Sequence, residues 1–213
     1  MEEFAEARGK IIVEALGTMI HENRGYLSEI DGVIGDGDHG INMDKGFKTA
    51  CYRLQDQEVG LSASFKILGD VLVDEIGGSM GPLYGTFFKR MARVASGKEE
   101  INAEVLEQMI QSAYQGILSI SEAKVGDKTL VDTLDPATQA LCKANSSGLE
   151  FSKVIDAMIF GAKTGWESTK DLVARVGRAS RLGERSRGAL DAGATSCYLI
   201  LRSIGESMKE LAK

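Results

Sequence analysis

The sequence predicts an all-α fold, a single-domain up-and-down barrel or bundle of eight helices that spans residues 1–213. Apolar residues recur at intervals of three and four positions along eight segments, which is the spacing of an amphipathic helix. Between these segments, every second connection is unusually rich in glycine or charged residues. Alternate connections of an up-and-down bundle fall at the same end, so the sequence predicts a functional site at one rim.

The eight predicted helices are defined by their periodic apolar positions. These positions extend over residues 4–19, 47–54, 65–72, 82–94, 105–117, 130–141, 151–162 and 194–208. Pro82 suits the first position of the fourth helix, where a backbone N–H has no helical partner. Pro136 lies inside the sixth helix and should bend it or mark its late start, because proline removes a backbone donor.

Composition is that of a globular protein and argues against two classes of partner. The chain has 213 residues, of which 43% are hydrophobic, so it can bury one substantial core, and no linker-like stretch divides it. The net charge is −6 with basic residues scattered among acids, so neither nucleic acid nor an anionic membrane is an expected partner. No apolar run approaches roughly 20 residues and the N-terminus is acidic, which favours a cytoplasmic location.

The first unusual connection, Asp31–Gly40, holds three aspartates and a histidine among four glycines. Glycine permits tight backbone paths, so Asp31, Asp36 and Asp38 can turn toward one point, where a cation would offset their repulsion. An oxygen-only set suits Mg²⁺ or Ca²⁺ rather than Zn²⁺. The spacing fails the EF-hand pattern, and carboxylates within the formal G-x-G-x-x-G run oppose a dinucleotide. On this pattern alone, a metal site and a solvated Asp/Gly turn are equally good interpretations.

Two further connections have features that suit phosphate. Gly77–Gly81 is Gly-rich and leads into a helix N-terminus, where free N–H groups favour an anion, although a plain turn has the same composition. Gly177–Gly193 carries several arginines, which bind phosphate well but also form ordinary surface charge clusters. The fourth connection, Ser121–Leu130, is polar without a distinctive pattern. No G-x-x-x-x-G-K-[ST] element occurs, which argues against a P-loop nucleotide hydrolase.

Five ordered motifs extend over essentially the whole chain. They are DGVIGDGDHGIN (31–42), GGSMGPLYG (77–85), GDKT (126–129), GRASRLGER (177–185) and DAGATS (191–196). Together they resemble the nucleotide-binding L subunit of dihydroxyacetone kinase. The resemblance implies an eight-helix barrel that holds ADP or ATP at one rim with two Mg²⁺ ions. It also implies phosphoryl transfer by positioning and charge neutralisation, without a covalent nucleophile on this chain.

The resemblance also implies roles for individual residues. Asp31, Asp36 and Asp38 would hold the Mg²⁺ ions. The residues that would enclose the nucleotide are His39, Gly40, Ile41 and Asn42 near the phosphates, Gly78, Ser79 and Met80 in the phosphate loop, Ser121 and Leu130 at the base, and Arg178, Asp191, Ala192 and Gly193 closing the site. Two positions depart from the family pattern, since Met80 stands where serine is common and Ala192 where proline is usual.

No part of the chain resembles the family's substrate-binding domain, which implies a separate subunit that holds dihydroxyacetone or a related ketose such as a tetrulose. The resemblance leaves two modes open. ATP is an exchangeable substrate, or ADP is a retained cofactor that a phosphotransferase-system phosphocarrier protein rephosphorylates. A homodimer is also compatible with the family. The alternative functions are a nucleotide-loaded regulatory module without turnover and a helical bundle whose Asp/Gly loop is only structural.

Overall fold

Eight α-helices dominate the computed structural model, which describes residues 2–213. In chain order they are α1 (Lys10–Ile34), α2 (His39–Leu54), α3 (Leu61–Glu75), α4 (Met80–Ala95), α5 (Ala103–Ile120), α6 (Val131–Ser146), α7 (Phe151–Ser168) and α8 (Ala192–Leu211). The remaining elements are β1 (Phe4–Ala5), β2 (Glu100–Ile101) and three short 3-10 helices at Glu6–Arg8, Thr169–Asp171 and Arg178–Ser186. The predicted all-α fold of eight helices is confirmed. No helix within residues 2–213 is long and apolar enough to cross a membrane.

The helices form a closed ring around one apolar core. Each helix packs against the next along the chain, and α8 also packs against α1. Phe47, Phe65, Phe87 and Phe88 are fully buried inside the ring, and their rings meet at centroid distances of 5.1–5.8 Å. Because neighbours along the chain are also neighbours in space, successive connections alternate between the two ends of the ring.

The N-terminal residues differ from the predicted first helix, which began at Phe4. Phe4 instead lies in β1, where it pairs antiparallel with Ile101 of β2, and both side chains are buried. α1 begins only at Lys10. An isolated pair of apolar residues carries no periodicity of its own, so the sequence pattern did not separate this strand from the helix that follows.

The first connection is shorter than the sequence suggested. α1 continues to Ile34 because its buried apolar stripe keeps the helical spacing through Leu27 and Ile30. α2 begins at His39, so only residues 35–38 connect the two helices. The Asp/Gly stretch is therefore a tight corner between two helix ends rather than a long loop.

Both prolines lie inside helices. α4 begins at Met80 rather than at Pro82, and Pro82 falls in its first turn, where a missing N–H costs nothing. α6 runs from Val131 to Ser146 and includes Pro136, so the helix does not start late at the proline. Proline at this position leaves the carbonyl of residue 132 without its helical donor.

α7 approaches this part of α6 closely by means of two glycines. A Cβ atom at Gly165 would lie 2.1 Å from the Asp132 carbonyl oxygen, and one at Gly161 would lie 2.4 Å from the Pro136 carbonyl oxygen. Real Cβ atoms do not approach oxygen so closely, so these two positions require glycine for the helices to pack as they do.

Gly165→Ala should destabilise the protein by about 1–3 kcal/mol, the usual cost of overpacking, because the new methyl group overlaps the Asp132 carbonyl. Gly25→Ala is the matched control, since Gly25 is exposed within α1 and a Cβ there meets nothing within 4 Å. It should raise stability by about 0.5–1 kcal/mol through helix propensity. Urea denaturation followed by circular dichroism measures both changes. Equal effects of the two substitutions would contradict the close packing of α7 on α6.

Candidate active site at one rim of the helical ring

Four connections meet at one end of the ring around a cavity of about 610 Å³. They join α1 to α2, α3 to α4, α5 to α6 and α7 to α8, and they are the four connections that the sequence singled out. The convergence predicted from their alternation is confirmed. The predicted site residues that line this cavity are Asp31, Asp36, Asp38, His39, Asn42, Gly78, Ser79, Met80, Ser121, Leu130, Arg178, Asp191, Ala192 and Gly193.

Two predicted site residues do not line the cavity. Gly40 packs against α1, where an added Cβ would lie 2.0 Å from the Arg24 carbonyl oxygen. Ile41 is 60% exposed. Their predicted places near the phosphates stay predictions. The cavity is also lined by residues to which the sequence assigned no individual role in the site, namely Ile34, Gly35, Gly77, Leu83, Tyr84, Ala123, Lys128, Thr129, Val131, Val176, Gly177 and Ala179.

Three carboxylates stand together on one side of the cavity. Asp31, Asp36 and Asp38 offer one oxygen each, and these oxygens all lie within 4.8 Å of one another. Asp31 extends from the last turn of α1, and the other two lie in the short corner before α2. Like charges at this separation repel unless a cation lies among them. An oxygen-only set fits Mg²⁺, so the residues present are suited to hold that ion.

Two glycines make this arrangement sterically feasible. Gly37 has a φ of 77°, in the left-handed region that favours glycine. A Cβ atom at Gly35 would lie 2.4 Å from Asp31 Oδ1 and would displace that carboxylate. Gly35 and Gly37 therefore do more than form a turn, because they also leave room for the carboxylates to lie close together.

Arg178 reaches the carboxylate cluster from the connection between α7 and α8. Its guanidinium forms an ion pair with Asp36, which joins the first and the last of the four connections. The Arg178 side chain is 66% exposed, and exposed ion pairs contribute little to stability. The guanidinium lines the cavity and is therefore available to an anion bound beside the carboxylates.

A hydrogen-bond network holds the His39 ring. Its Nε2 lies 2.9 Å from Ser196 Oγ, and its backbone N–H donates to Asp31 Oδ2 at 3.2 Å. The Tyr84 hydroxyl lies 2.6 Å from Ser196 Oγ and donates to the Gly193 carbonyl oxygen at 3.0 Å. Burial lowers the pKa of His39 to about 4, although the Asp31 carboxylate opposes the shift. The imidazole is therefore neutral at pH 7 and offers a bound phosphate a hydrogen bond but no charge.

Tyr84 and Ser196 were not predicted as site residues, although both lie inside conspicuous motifs of the sequence, GGSMGPLYG and DAGATS. Their contact joins α4 to α8 across 112 positions of the chain. Residue type and periodicity carry no information about a pair so far apart, and the motifs were the only signal.

The N-terminus of α4 borders the cavity without a side-chain cap. Gly78 precedes it with a φ of 73°, and Ser79 occupies the N-cap position. The first amide groups of a helix have no partner within the helix, and the helix dipole there favours an anion such as phosphate. Met80 is 8% exposed and belongs to the core, so it contributes backbone to this turn rather than a side-chain donor.

Apolar side chains line the cavity near the connection between α5 and α6. Ser121 Oγ accepts a hydrogen bond from the Ala123 N–H at 3.1 Å, so this hydroxyl already stabilises its own loop. Leu130 is 6% exposed at the start of α6, and Leu83 of α4 adds to the same lining. Apolar walls with a few polar groups are typical of sites that bind a planar ring.

Asp191 caps α8 at the edge of the cavity. Its Oδ2 accepts from the Ala194 N–H at 2.7 Å, and its own N–H donates to Thr169 Oγ1 at 3.2 Å. Burial raises the pKa of Asp191 to about 6, although the Ala194 hydrogen bond and the charge of Lys128 oppose the shift. The capping bond holds the start of α8, which begins at Ala192.

Comparison with known proteins identifies the class to which this fold and site belong. The DAK2 domain family matches residues 33–206. The chain belongs to this family, as the sequence resemblance indicated, and is a kinase subunit.

Two bacterial relatives and one crystal structure illustrate the similarity. The ADP-binding subunit of the PEP-dependent dihydroxyacetone kinase 2 of Listeria innocua is 36% identical over 205 residues, which cover 93% of both chains. The ADP-binding subunit of the PEP-dependent dihydroxyacetone kinase of Escherichia coli is 36% identical over 87% of this chain and 89% of its own length. The dihydroxyacetone kinase of C. freundii, solved in complex with AMP-PNP and Mg²⁺, has the same fold with a TM-score of 0.66 at 24% identity. The match covers 95% of this chain and 34% of that longer one.

Asp191→Asn should change how stability depends on pH. Since the pKa of Asp191 is about 6 in the folded protein and 3.8 ordinarily, the native state keeps a proton that the unfolded state has lost. The free energy of unfolding should therefore fall as pH rises from about 4 to about 6, by up to about 1.4 kcal/mol per pH unit. Asparagine keeps the capping oxygen but does not titrate. Urea denaturation at several pH values should show a flatter profile for the variant, whereas parallel profiles would refute the buried titration.

Proposed function

We propose that this chain is the nucleotide-binding L subunit of a dihydroxyacetone kinase, which passes a phosphoryl group from its nucleotide to dihydroxyacetone held on a separate subunit. One observation carries the proposal most directly. The uncapped N-terminus of α4 and the cluster of Asp31, Asp36 and Asp38 border the same cavity. The first favours phosphate and the second favours Mg²⁺, and a magnesium nucleotide presents both.

The roles of individual residues follow from this arrangement. Asp31, Asp36 and Asp38 would hold two Mg²⁺ ions, which would neutralise the charge that builds up on the transferring phosphoryl group. The first amides of α4 bind the phosphates, and the neutral His39 ring, held by Ser196, donates to them without adding charge. All these groups bind and position the nucleotide. Phosphoryl transfer therefore requires no covalent intermediate on this chain.

The apolar wall near Leu130 and Leu83 suits the adenine base, and the α7–α8 connection closes the site from the other side. Arg178 in that connection would contact a phosphate oxygen in place of Asp36 if the carboxylates held metal. The guanidinium is suited to this role because it is permanently charged and its present ion pair is exposed.

We infer the source of the phosphoryl group from relatives that match this chain along nearly their whole length. Both are described as ADP-binding subunits of PEP-dependent kinases. This supports ADP as a retained cofactor that a phosphotransferase-system phosphocarrier protein rephosphorylates, rather than ATP as an exchangeable substrate. The substrate-binding subunit then docks on the rim that carries the four connections, where the phosphoryl group is exposed to it.

Asp38→Ala should weaken ADP binding in the presence of Mg²⁺ by about 100-fold or more, since loss of even an outer-sphere partner of a metal site costs about 10–100-fold. Asp38 is the cleanest probe because Asp36 also pairs with Arg178 and Asp31 also accepts from His39. Asp56→Ala, an exposed aspartate in the connection at the opposite end, is the control. Isothermal titration calorimetry measures the affinity. The metal assignment would be wrong if the Asp38 variant bound ADP as tightly as the wild type. It would also be wrong if the wild type bound ADP equally well with Mg²⁺ and with a chelator.

The isolated protein should not phosphorylate dihydroxyacetone at a useful rate, because transfer needs the acceptor oxygen held at about 3–3.5 Å from the phosphorus atom. Adding a cognate substrate-binding subunit should restore turnover, and protein carrying Asp38→Ala should stay inactive in the same mixture. A coupled assay of dihydroxyacetone phosphate formation, with ATP or with phosphoenolpyruvate and the phosphocarrier proteins, separates the two modes. Robust turnover by the chain alone would refute the divided site, and inactivity in every mixture would favour a regulatory module instead.

A further inference from the structure

Lys128 occupies an unusual position in the GDKT motif, to which neither the fold nor the proposed chemistry has yet assigned a role. Its side chain is 2% exposed, and it is the only buried lysine in residues 2–213. Its φ is 64°, and within residues 2–213 it is the only residue other than glycine with a positive φ. The left-handed region is unfavourable for a long side chain, so the surrounding structure must hold the residue there.

The Lys128 ammonium group is fully occupied by backbone oxygens. Its Nζ donates to the carbonyl oxygens of Thr169 and Ala189, each at 2.5 Å, and to that of Leu172 at 3.3 Å. An ammonium group has three protons to donate, so these three bonds satisfy it. All three acceptors belong to the connection between α7 and α8, and Ala189 lies two residues before Asp191.

Two further hydrogen bonds hold the same segment, one within it and one to the GDKT motif. The Asp191 N–H donates to Thr169 Oγ1 at 3.2 Å, and the Arg175 N–H donates to the Asp127 carbonyl oxygen at 3.1 Å. The segment has only short 3-10 helices of its own, so it depends on such bonds for its shape. The Lys128 ammonium group thus joins both ends of the segment, and the Gly188 N–H, which donates to the Lys170 carbonyl oxygen at 2.8 Å, joins them as well.

Stability alone is a poor explanation for this arrangement. Removing an ammonium group from water is costly, and an apolar side chain in such a place is often as stabilising or more so. Burial lowers the pKa of Lys128, which reports this cost, and the Asp191 carboxylate opposes the shift. A strained backbone and a buried charge at the wall of a cavity point to a role in that cavity.

We propose that Lys128 is a positioning residue for the nucleotide, which fixes the α7–α8 wall so that Asp191, Ala192 and Gly193 lie against the ligand. The inference rests on the proposed function, because it assumes that the cavity binds ADP or ATP. Lys128 acts through the wall and through the start of α8 and contacts no reacting atom. Its loss should loosen the wall and speed nucleotide release, while the helices of the ring keep their packing.

The test compares Lys128→Met with Lys124→Met, which makes the same substitution at an exposed lysine of the same connection. Dissociation of a fluorescent ADP analogue, chased with excess Mg-ADP, should be at least tenfold faster for the Lys128 variant and unchanged for the Lys124 variant. Hydrogen exchange should accelerate in residues 169–191 and stay unchanged in α3 and α4. Lys128→Arg, which keeps a charged donor, should restore part of the retention. Dissociation within twofold of the wild type, or equal acceleration of exchange in all helices, would overturn the proposal.

A measurement on the wild-type protein covers the case in which the variant does not fold. With ¹⁵N-labelled lysine, the Lys128 ammonium group should give a slowly exchanging NMR signal, because all its protons are bonded and buried. Addition of Mg-ADP should shift this signal and slow its exchange further, and a signal that does not respond would overturn the proposal. If the wild type binds no Mg-ADP at all by calorimetry, the proposed function fails instead, and the two failures are distinguishable.

Discussion

Repulsion among three carboxylates is the constraint around which the rim is organised. Oxygens of Asp31, Asp36 and Asp38 lie within 4.8 Å of one another, which an unconstrained chain would avoid. The constraint is imposed by helix ends. α1 continues to Ile34 and α2 begins at His39, so four residues, two of them glycine, must turn the chain. Helix packing throughout the ring offsets the local cost, and a divalent cation would convert the repulsion into attraction.

Closure of the ring extends this constraint to the other elements. α8 packs on α1 and brings Ser196 to the His39 ring, while Tyr84 of α4 contacts the same serine. This network of His39, Ser196 and Tyr84 therefore joins three helices, α2, α8 and α4. Buried polar groups that satisfy one another in this way define a single arrangement, because an alternative one would leave some of them without partners. The neutral state of His39 follows from the same burial.

The two sides of the cavity are stabilised by different means. On the carboxylate side, long helices supply continuous backbone hydrogen bonds and a buried apolar face. On the α7–α8 side, polar side chains stabilise the backbone through hydrogen bonds. Lys128 binds three carbonyl oxygens, and Ser186 Oγ accepts from the Ala174 N–H at 2.9 Å. Segments held by a few polar contacts open at lower free energy than packed helices. Such an asymmetry suits a site with a rigid metal-binding side and a wall that admits and then retains a ligand.

Local patterns in the chain were enough to predict the eight helices and the convergence of alternate connections. Both depend on helical periodicity and on the packing of neighbouring helices, which are short-range properties. The same patterns also singled out the Asp/Gly corner, since glycine and aspartate report backbone and charge directly. Only the folded protein showed that Phe4 pairs as a strand with Ile101 and that Gly40 packs on α1 instead of lining the cavity. The contacts of Tyr84 and Lys128 were equally beyond the sequence pattern. Each joins residues brought together by closure of the ring, and the spacing of residues along a chain does not encode which distant partner a buried polar group will meet.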